Sequence, residues 1–357
     1  MDVVEILKDS VGKDASDVFI VAGAHLMYKV DGRITPESDA LLPPAETENL
    51  IHQIYQLANN RDQTGFKENH VDDFSFSMPK VGRFRANVYY QRSSQAAVLR
   101  YVRFELPDYK KLCIPDVVIG LAEKKRGLIL VTGPAGSGKS TTISSIVDRI
   151  NSTRKEHIVT IEDPIEYLHM HKQSIVSQIE VNCDVQSFVQ GLKSSLRQSP
   201  NVILLGELRD LDTISIAMTA AETGQLVLST LHTLGTSNTI DRVIDVFPPS
   251  QQQQIRVQLS MVLEAVVTQQ LVPRKDGSGV VPAFEVLFIN SAVRNLIRDA
   301  KIYMIDNIIY SGSSEGMISM DYSLYNLCAE GVISKETAIQ YSFNKDSLAK
   351  KLSGIEA

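Results

Sequence analysis

The sequence predicts an α/β protein in which a phosphate-binding domain follows a smaller α+β unit. Three observations carry this. The stretch GPAGSGKST, residues 133 to 141, lies between an apolar run and a helical pattern. Four runs, GLILVTG, HIVTIEDP, NVILLGE and GQLVLSTLH, are nearly continuous in leucine and β-branched residues. Runs of that kind suit strands covered on both faces of a largely parallel sheet. Before about residue 105, apolar and polar residues alternate instead, as in antiparallel strands with one solvated face.

The elements follow in order. Val3, Val4, Ile6 and Leu7 give a first short helix an apolar face. DVFIVAG and HLMYKVDGRI read as strands, with Asp31-Gly32 supplying turn chemistry. A helix around ETENLIHQIYQLA comes next, then strands at DDFSFSMP, GRFRANVYYQR and QAAVLRYVRF. In the first of these, Phe74 and Phe76 face one way, Ser75 and Ser77 the other. ELPDYKKLCIP, with two prolines and a charged middle, suggests a linker. The expected division is a domain over 1–105, a linker over 106–118 and a second domain over 119–357. In that second domain STTISSIVDRIN puts Ile143, Ile146, Val147 and Ile150 on one helical face. Beyond about residue 250 the pattern reads as mostly helical, in QQQQIRVQLSMVLEAVVTQQL and SAVRNLIRDAKIYMIDNIIY.

Bulk properties narrow the function. At 357 residues two domains are expected. The formal net charge is -6 and no block of five or six basic residues occurs. No nucleic-acid partner is therefore expected, since phosphates want a basic face. Cys113, Cys183 and Cys328 are far apart, without a C-x-x-C pair, so neither a zinc site nor a disulfide framework is expected. MDVVEILKDS lacks the charged and apolar segments of a signal peptide, and no run of 18 apolar residues could span a bilayer. A cytoplasmic location is expected.

Gly133, Gly138, Lys139 and Ser140 satisfy G-x-x-x-x-G-K-[ST], with a strand before and a helix after. Glycines, here Gly133, Gly136 and Gly138 beside Pro134 and Ser137, let backbone N–H groups curl around an anion. The helix start adds partial positive charge. Lys139 can reach the β- and γ-phosphates of ATP, Ser140 can ligate Mg²⁺, and Thr141 can assist nearby. Hydrolysis also needs acids where neighbouring parallel strands end. TIEDPIEYLH supplies Glu162, Asp163 and Glu166; NVILLGELRD supplies Glu207 and Arg209; STLHT supplies His232. Taken singly, each has a plain structural reading as a helix-starting acid, a surface ion pair or a satisfied histidine.

Together these stretches resemble a family. GPAGSGKST, TIEDPIE, LLGELRDLDTI, AAETGQLVLSTLHT and TIDRVIDVFPP look like the Walker A, Asp box, Walker B and His box of the secretion-type ATPases. SAVRNLIRDAK resembles the A-I-R-N-L-I-R segment of the PilT group, the retraction motors of type IV pili, with Val293 in place of isoleucine. The resemblance implies a PAS-like N-terminal domain and a RecA-like motor domain. It implies Glu166 as general base, Glu207 as the Walker B acid acting on Mg²⁺ through water, and His232 at the γ-phosphate. Gly206 stands where many P-loop enzymes have aspartate, a feature the secretion ATPases share. Gln225 stands where the family often has a histidine.

Arg83, Arg85, Arg92, Arg100 and Arg103 are placed on the last two N-terminal strands. Their plain reading is a solvated sheet face; the resemblance implies arginine fingers at Arg85 and Arg100. It also implies a homo-hexamer whose domains rotate with the nucleotide cycle and power pilus retraction. That motor would sit peripherally on the inner face of the cell membrane at the pilus base. Its partners would be an inner-membrane platform protein, a paralogous retraction ATPase and, indirectly, pilin. Arg294, Asn295, Leu296, Ile297 and Arg298 would form the coupling element. The alternatives are a PilU-like accessory motor, an assembly or type II secretion ATPase, and a DNA-translocating RecA-like ATPase. Assembly relatives usually carry a four-cysteine module, which this sequence lacks.

Overall fold

The computed structural model describes residues 1–102 and 106–353. The described chain divides into two compact units, one of residues 1–102 with Glu166–Leu168, the other of 106–165 and 169–353. The end of the expected first domain, including Arg103, lies outside the described residues.

In the first unit, helix Val3–Gly12 starts under a cap, the Asp2 side chain accepting from the Val4 N–H at 2.8 Å. Strands β1 (Asp17–Ile20), β2 (Met27–Val30) and β3 (Arg33–Pro36) follow. After helices Pro44–Leu57 and Thr64–Asn69 come β4 (Val71–Met78), β5 (Gly82–Gln91) and β6 (Ser94–Val102). They form an antiparallel sheet in the order β3-β2-β1-β6-β5-β4. Asp31 and Gly32 both take positive φ between β2 and β3, as a tight two-residue hairpin requires. Phe74, Phe76 and Phe84 point into a core closed by Leu50, Ile51 and Ile54 of the long helix. The opposite face is polar. There Arg85 of β5 stands directly across from Arg100 of β6. Arg92 sits in the turn between these strands, at φ 48°, and not on either of them.

The second unit is built on β7 (Gly127–Thr132), β8 (His157–Glu162), β9 (Ile175–Glu180), β10 (Val202–Leu205), β11 (Leu226–Leu231), β12 (Leu263–Pro273) and β13 (Val280–Phe288). The sheet order is β13-β12-β7-β11-β10-β8-β9, parallel except for the β12–β13 pair. Strands β7, β10 and β11 are buried along their whole length. Leu128 and Leu130 enter the core on one face, Ile129 and Val131 the core on the other. Helix Lys139–Thr153 covers the second face with Ile143, Ile146, Val147 and Ile150, each buried. Each such side chain stabilises the fold by about 1.5–3 kcal/mol. Residues 106–118, expected as a linker, belong to this unit, and Ile114 and Val118 are buried in it.

The expectation of a mostly helical chain beyond 250 fails at two strands. Helix Pro249–Val262 ends where β12 begins, and β13 follows. LEAVVTQQLVP is buried from both sides beside β7, so tertiary pairing overrides the helix-like spacing that precedes it. Helices Met320–Ala329, Lys335–Tyr341 and Lys345–Leu352 then pack on the far ends of β12 and β13. Among the described residues no helix is long and apolar enough to cross a membrane.

Candidate active site

The phosphate loop leaves the end of β7. Gly133, Gly136 and Gly138 have φ of 140°, 75° and 85°, backbone that side chains resist. A Cβ on Gly133 would overlap the Gln269 carbonyl, and one on Gly138 would stand 2.8 Å from Gln269 Nε2. Helix Lys139–Thr153 starts from Gly138 with no side-chain cap. Ser137 is buried, and its hydroxyl has no partner. An inward-curled backbone, the positive end of a helix and an orphaned hydroxyl fit a polyphosphate. We expect Gly133→Ala to lower nucleotide affinity by at least about tenfold, through backbone strain at a fixed turn. Titration with a fluorescent ATP analogue checks this, with far-UV circular dichroism showing the fold retained.

Lys139 is 7% exposed. Its Nζ donates to the Gly133 and Pro134 carbonyls, each at 2.9 Å, and lies 3.5 Å from His232 Nδ1. His232 Nε2 is 3.6 Å from Glu207 Oε2, and the other Glu207 oxygen pairs with Arg209. A lysine ammonium only donates, so Nδ1 faces it with a lone pair and the ring hydrogen sits on Nε2, toward the carboxylate. One chain of contacts thus joins the phosphate loop, the second residue after β10 and the first residue after β11. The strand ends bring this about: β10 stops at Leu205 and β11 at Leu231. Gly206 lets β10 run close to β8, since a Cβ there would lie 3.3 Å from the Ile161 carbonyl. Asp210 fixes the exit by capping helix Leu211–Glu222 with a reciprocal Thr213 contact.

Not every expected residue joins this chain of contacts in the structure. Glu162 is buried, accepting from Thr160 at 2.6 Å and Gln178 at 3.3 Å. Glu166 is exposed, four residues past the end of β8. Arg85 and Arg100 lie in the first unit; Arg100 Nε donates to buried Asp17 at 2.8 Å, and Arg85 lies 3.8 Å from Asp73. Sequence reasoning missed the support from β12. Gln269 Oε1 accepts from Thr142 at 2.6 Å, and Thr268 bonds Thr132 at 2.8 Å. A run of polar residues, TQQ, inside an apolar strand was the available signal. Beside Gly138 and Thr141 lies a cavity of about 240 Å³, walled by Leu112, Leu271 and Pro282.

Within the SAVRNLIR segment, helix Ser291–Arg298 buries Val293 and Ile297 and exposes Asn295 and Arg298. Arg294 is tied down. It donates to the Ser260 and Met261 carbonyls at 2.7 and 2.9 Å and to Glu264 at 3.1 Å. The other Glu264 oxygen takes Lys124 at 2.8 Å.

Comparison with known proteins places this arrangement. Residues 2–280 match the model of the type II/IV secretion system protein family. The chain belongs to that family, as a PilT-type ATPase. It is 43% identical over 338 residues to the type IV pilus retraction ATPase PilT of Pseudomonas aeruginosa, covering 95% of this chain and 97% of that protein. It is 37% identical to the type IV pilus ATPase PilU of the same organism, over 98% of this chain and 90% of that one. A crystal structure of the pilus retraction motor PilT with bound ADP superposes with a TM-score of 0.90, at 44% identity, over 98% of this chain and 99% of that one. The secretion ATPase family read from the boxed motifs is thus the family found, and the fold is shared with PilT over nearly the whole chain.

Proposed function

We propose that the protein is a hexameric, Mg-ATP-hydrolysing motor that powers type IV pilus retraction and thereby twitching motility. The observation that carries this is the contact chain Lys139–His232–Glu207, which links the phosphate loop to the ends of two other parallel strands. Lys139 and the loop N–H groups bind the phosphates, with Ser137 and Thr141 alongside. His232, held between an ammonium and a carboxylate, meets the γ-phosphate. Glu166, exposed after β8, orients the attacking water as general base. Arg85 and Arg100 supply positive charge to the transferring phosphoryl group. Bound Mg²⁺ would be held by Ser140 and, through water, by Glu207, and would neutralise charge between the β- and γ-phosphates.

In this reading hydrolysis changes which arrangement of the two units is favoured, and that change is the stroke. The helix at 291–298 passes it to the retraction machinery through Asn295 and Arg298, the members of the segment that face solvent. Leu296 is partly buried against the core, Ile297 is fully buried, and Arg294 is held in the contacts described above, so these three set the helix in place. The partners are an inner-membrane platform protein and a paralogous retraction ATPase, with the motor on the cytoplasmic face of the membrane at the pilus base.

The test is genetic and biochemical. Deleting the gene should leave cells with surplus, unretracted pili; bald cells would assign assembly instead. Complementation with Asn295→Ala/Arg298→Ala should fail to restore retraction. The purified variant should keep its ATPase rate within about threefold, as expected for exposed side chains remote from the phosphates. Retraction at the parental rate would remove the coupling role from this helix.

A further inference from the structure

Glu285 of β13 is a buried carboxylate outside the contacts assigned to the reaction. Its Oε1 accepts the Thr236 N–H at 2.9 Å, and its Oε2 faces the Met320 N–H at 3.5 Å. Both donors open helices, Thr236–Asp245 and Met320–Ala329. Helix starts carry unpaired N–H groups and partial positive charge, which makes a buried carboxylate tolerable. The helix at Thr236 depends on it more. Its preceding residue is Gly235, which has no side chain to cap it. Glu285 provides the cap from another element of the sheet.

What this helix holds lies in the nucleotide site. It begins four residues after His232. One turn in, the Thr239 hydroxyl meets that of Thr233 at 2.7 Å and that of Thr132 at 3.5 Å. Thr132 immediately precedes Gly133. The seating of one helix therefore sets both the segment that carries His232 and the root of the phosphate loop. We propose that Glu285 is a positioning residue for hydrolysis, holding helix Thr236–Asp245 so that His232 stays between Lys139 and Glu207. This rests on the reading of His232 as the γ-phosphate contact.

The carboxylate also makes the arrangement sensitive to acid. Burial raises the Glu285 carboxyl above its ordinary range, against the lowering effect of the Thr236 contacts. The titratable groups sharing the cavity of about 290 Å³ beside it are Asp306 and Tyr310, from helix Ile305–Ser311, and Asp321, from helix Met320–Ala329. Protonation turns one of the two acceptor oxygens into a donor facing an N–H group. Hydrolysis then falls on the acid side, at a pH above the usual carboxylate range.

Steady-state ATP hydrolysis by the full chain between pH 5 and 9 tests this. Glu285→Gln keeps one acceptor for Thr236. Like the protonated acid it sets a donor against the second N–H group, so at pH 8 it should already show the lowered kcat that the wild type reaches only at acid pH, with no further fall there. Glu285→Ala should lower kcat by about tenfold with KM changed less than about threefold. In a His232→Ala background, Glu285→Ala should add little. A wild-type kcat for Glu285→Ala, or a full additive loss on top of His232→Ala, overturns the proposal. If Glu285→Ala does not fold, an acid limb unchanged in Glu285→Gln overturns it. A wild-type rate for His232→Ala alone defeats the γ-phosphate reading instead.

Discussion

Glu166→Gln is expected to lower phosphate release by about 10²–10⁴, the range a positioned general base contributes, while nucleotide binding stays at the wild-type level. Glu166 is exposed and lies past the end of β8, so the amide brings no burial cost. Glu207 is a poorer first target. Its carboxylate holds Arg209 and faces His232, so a change there disturbs several groups at once. Single-turnover phosphate release and titration with a non-hydrolysable analogue separate chemistry from binding. A wild-type rate for Glu166→Gln would move the base elsewhere on this segment. Asp163 is then the exposed carboxylate left to test, because Glu162 is buried in contacts with Thr160 and Gln178.

Arg85→Ala and Arg100→Ala should each cut kcat by about 10³–10⁵, the size of an arginine finger in other phosphoryl transfers, or roughly 4–7 kcal/mol in the barrier. The two side chains are register partners on β5 and β6. Like charges set opposite each other in a sheet are unfavourable, and here Asp17 beside Arg100 and Asp73 near Arg85 offset the pairing. Arg100 needs a second variant. Alanine would leave Asp17, only 4% exposed, without the guanidinium it accepts from. Arg100→Lys keeps a positive charge there but not the planar fork, so stability should return and hydrolysis should not. Full activity in either arginine variant, with the fold intact, would return these residues to the role of a soluble sheet face.

Some of this could be read from the chain and some could not. Strands β7, β10 and β11 announce themselves because they are buried on both faces and carry almost no polar residue. The phosphate loop is legible because its glycines, lysine and serine are adjacent in sequence. Strand β12 is not. Thr268, Gln269 and Gln270 are buried polar residues, and Thr268 and Gln269 find partners in Thr132 and Thr142, more than a hundred residues earlier. No local pattern records such a partnership, and the glutamine-rich helix before it invites a longer helix. β9 is obscured in the same way. Its Gln178 accepts from the His169 backbone and donates to Glu162. Glu285 sits in FEVLF, where a lone acid looks like the solvated face of a strand; the two helix starts it serves are known only after folding.

The Lys124–Glu264–Arg294 cluster bears on how mutant phenotypes are interpreted. One carboxylate is shared by two cations from distant parts of the chain, and the same guanidinium closes off the end of helix Pro249–Val262. A genetic screen that recovers immobile cells with lesions at position 294 therefore does not locate a docking surface by itself. Such a lesion also unbalances a partly buried acid and unties a helix end. An allele at 298 lacks that ambiguity, because among the described residues its side chain bonds only Asn295, within one turn of its own helix.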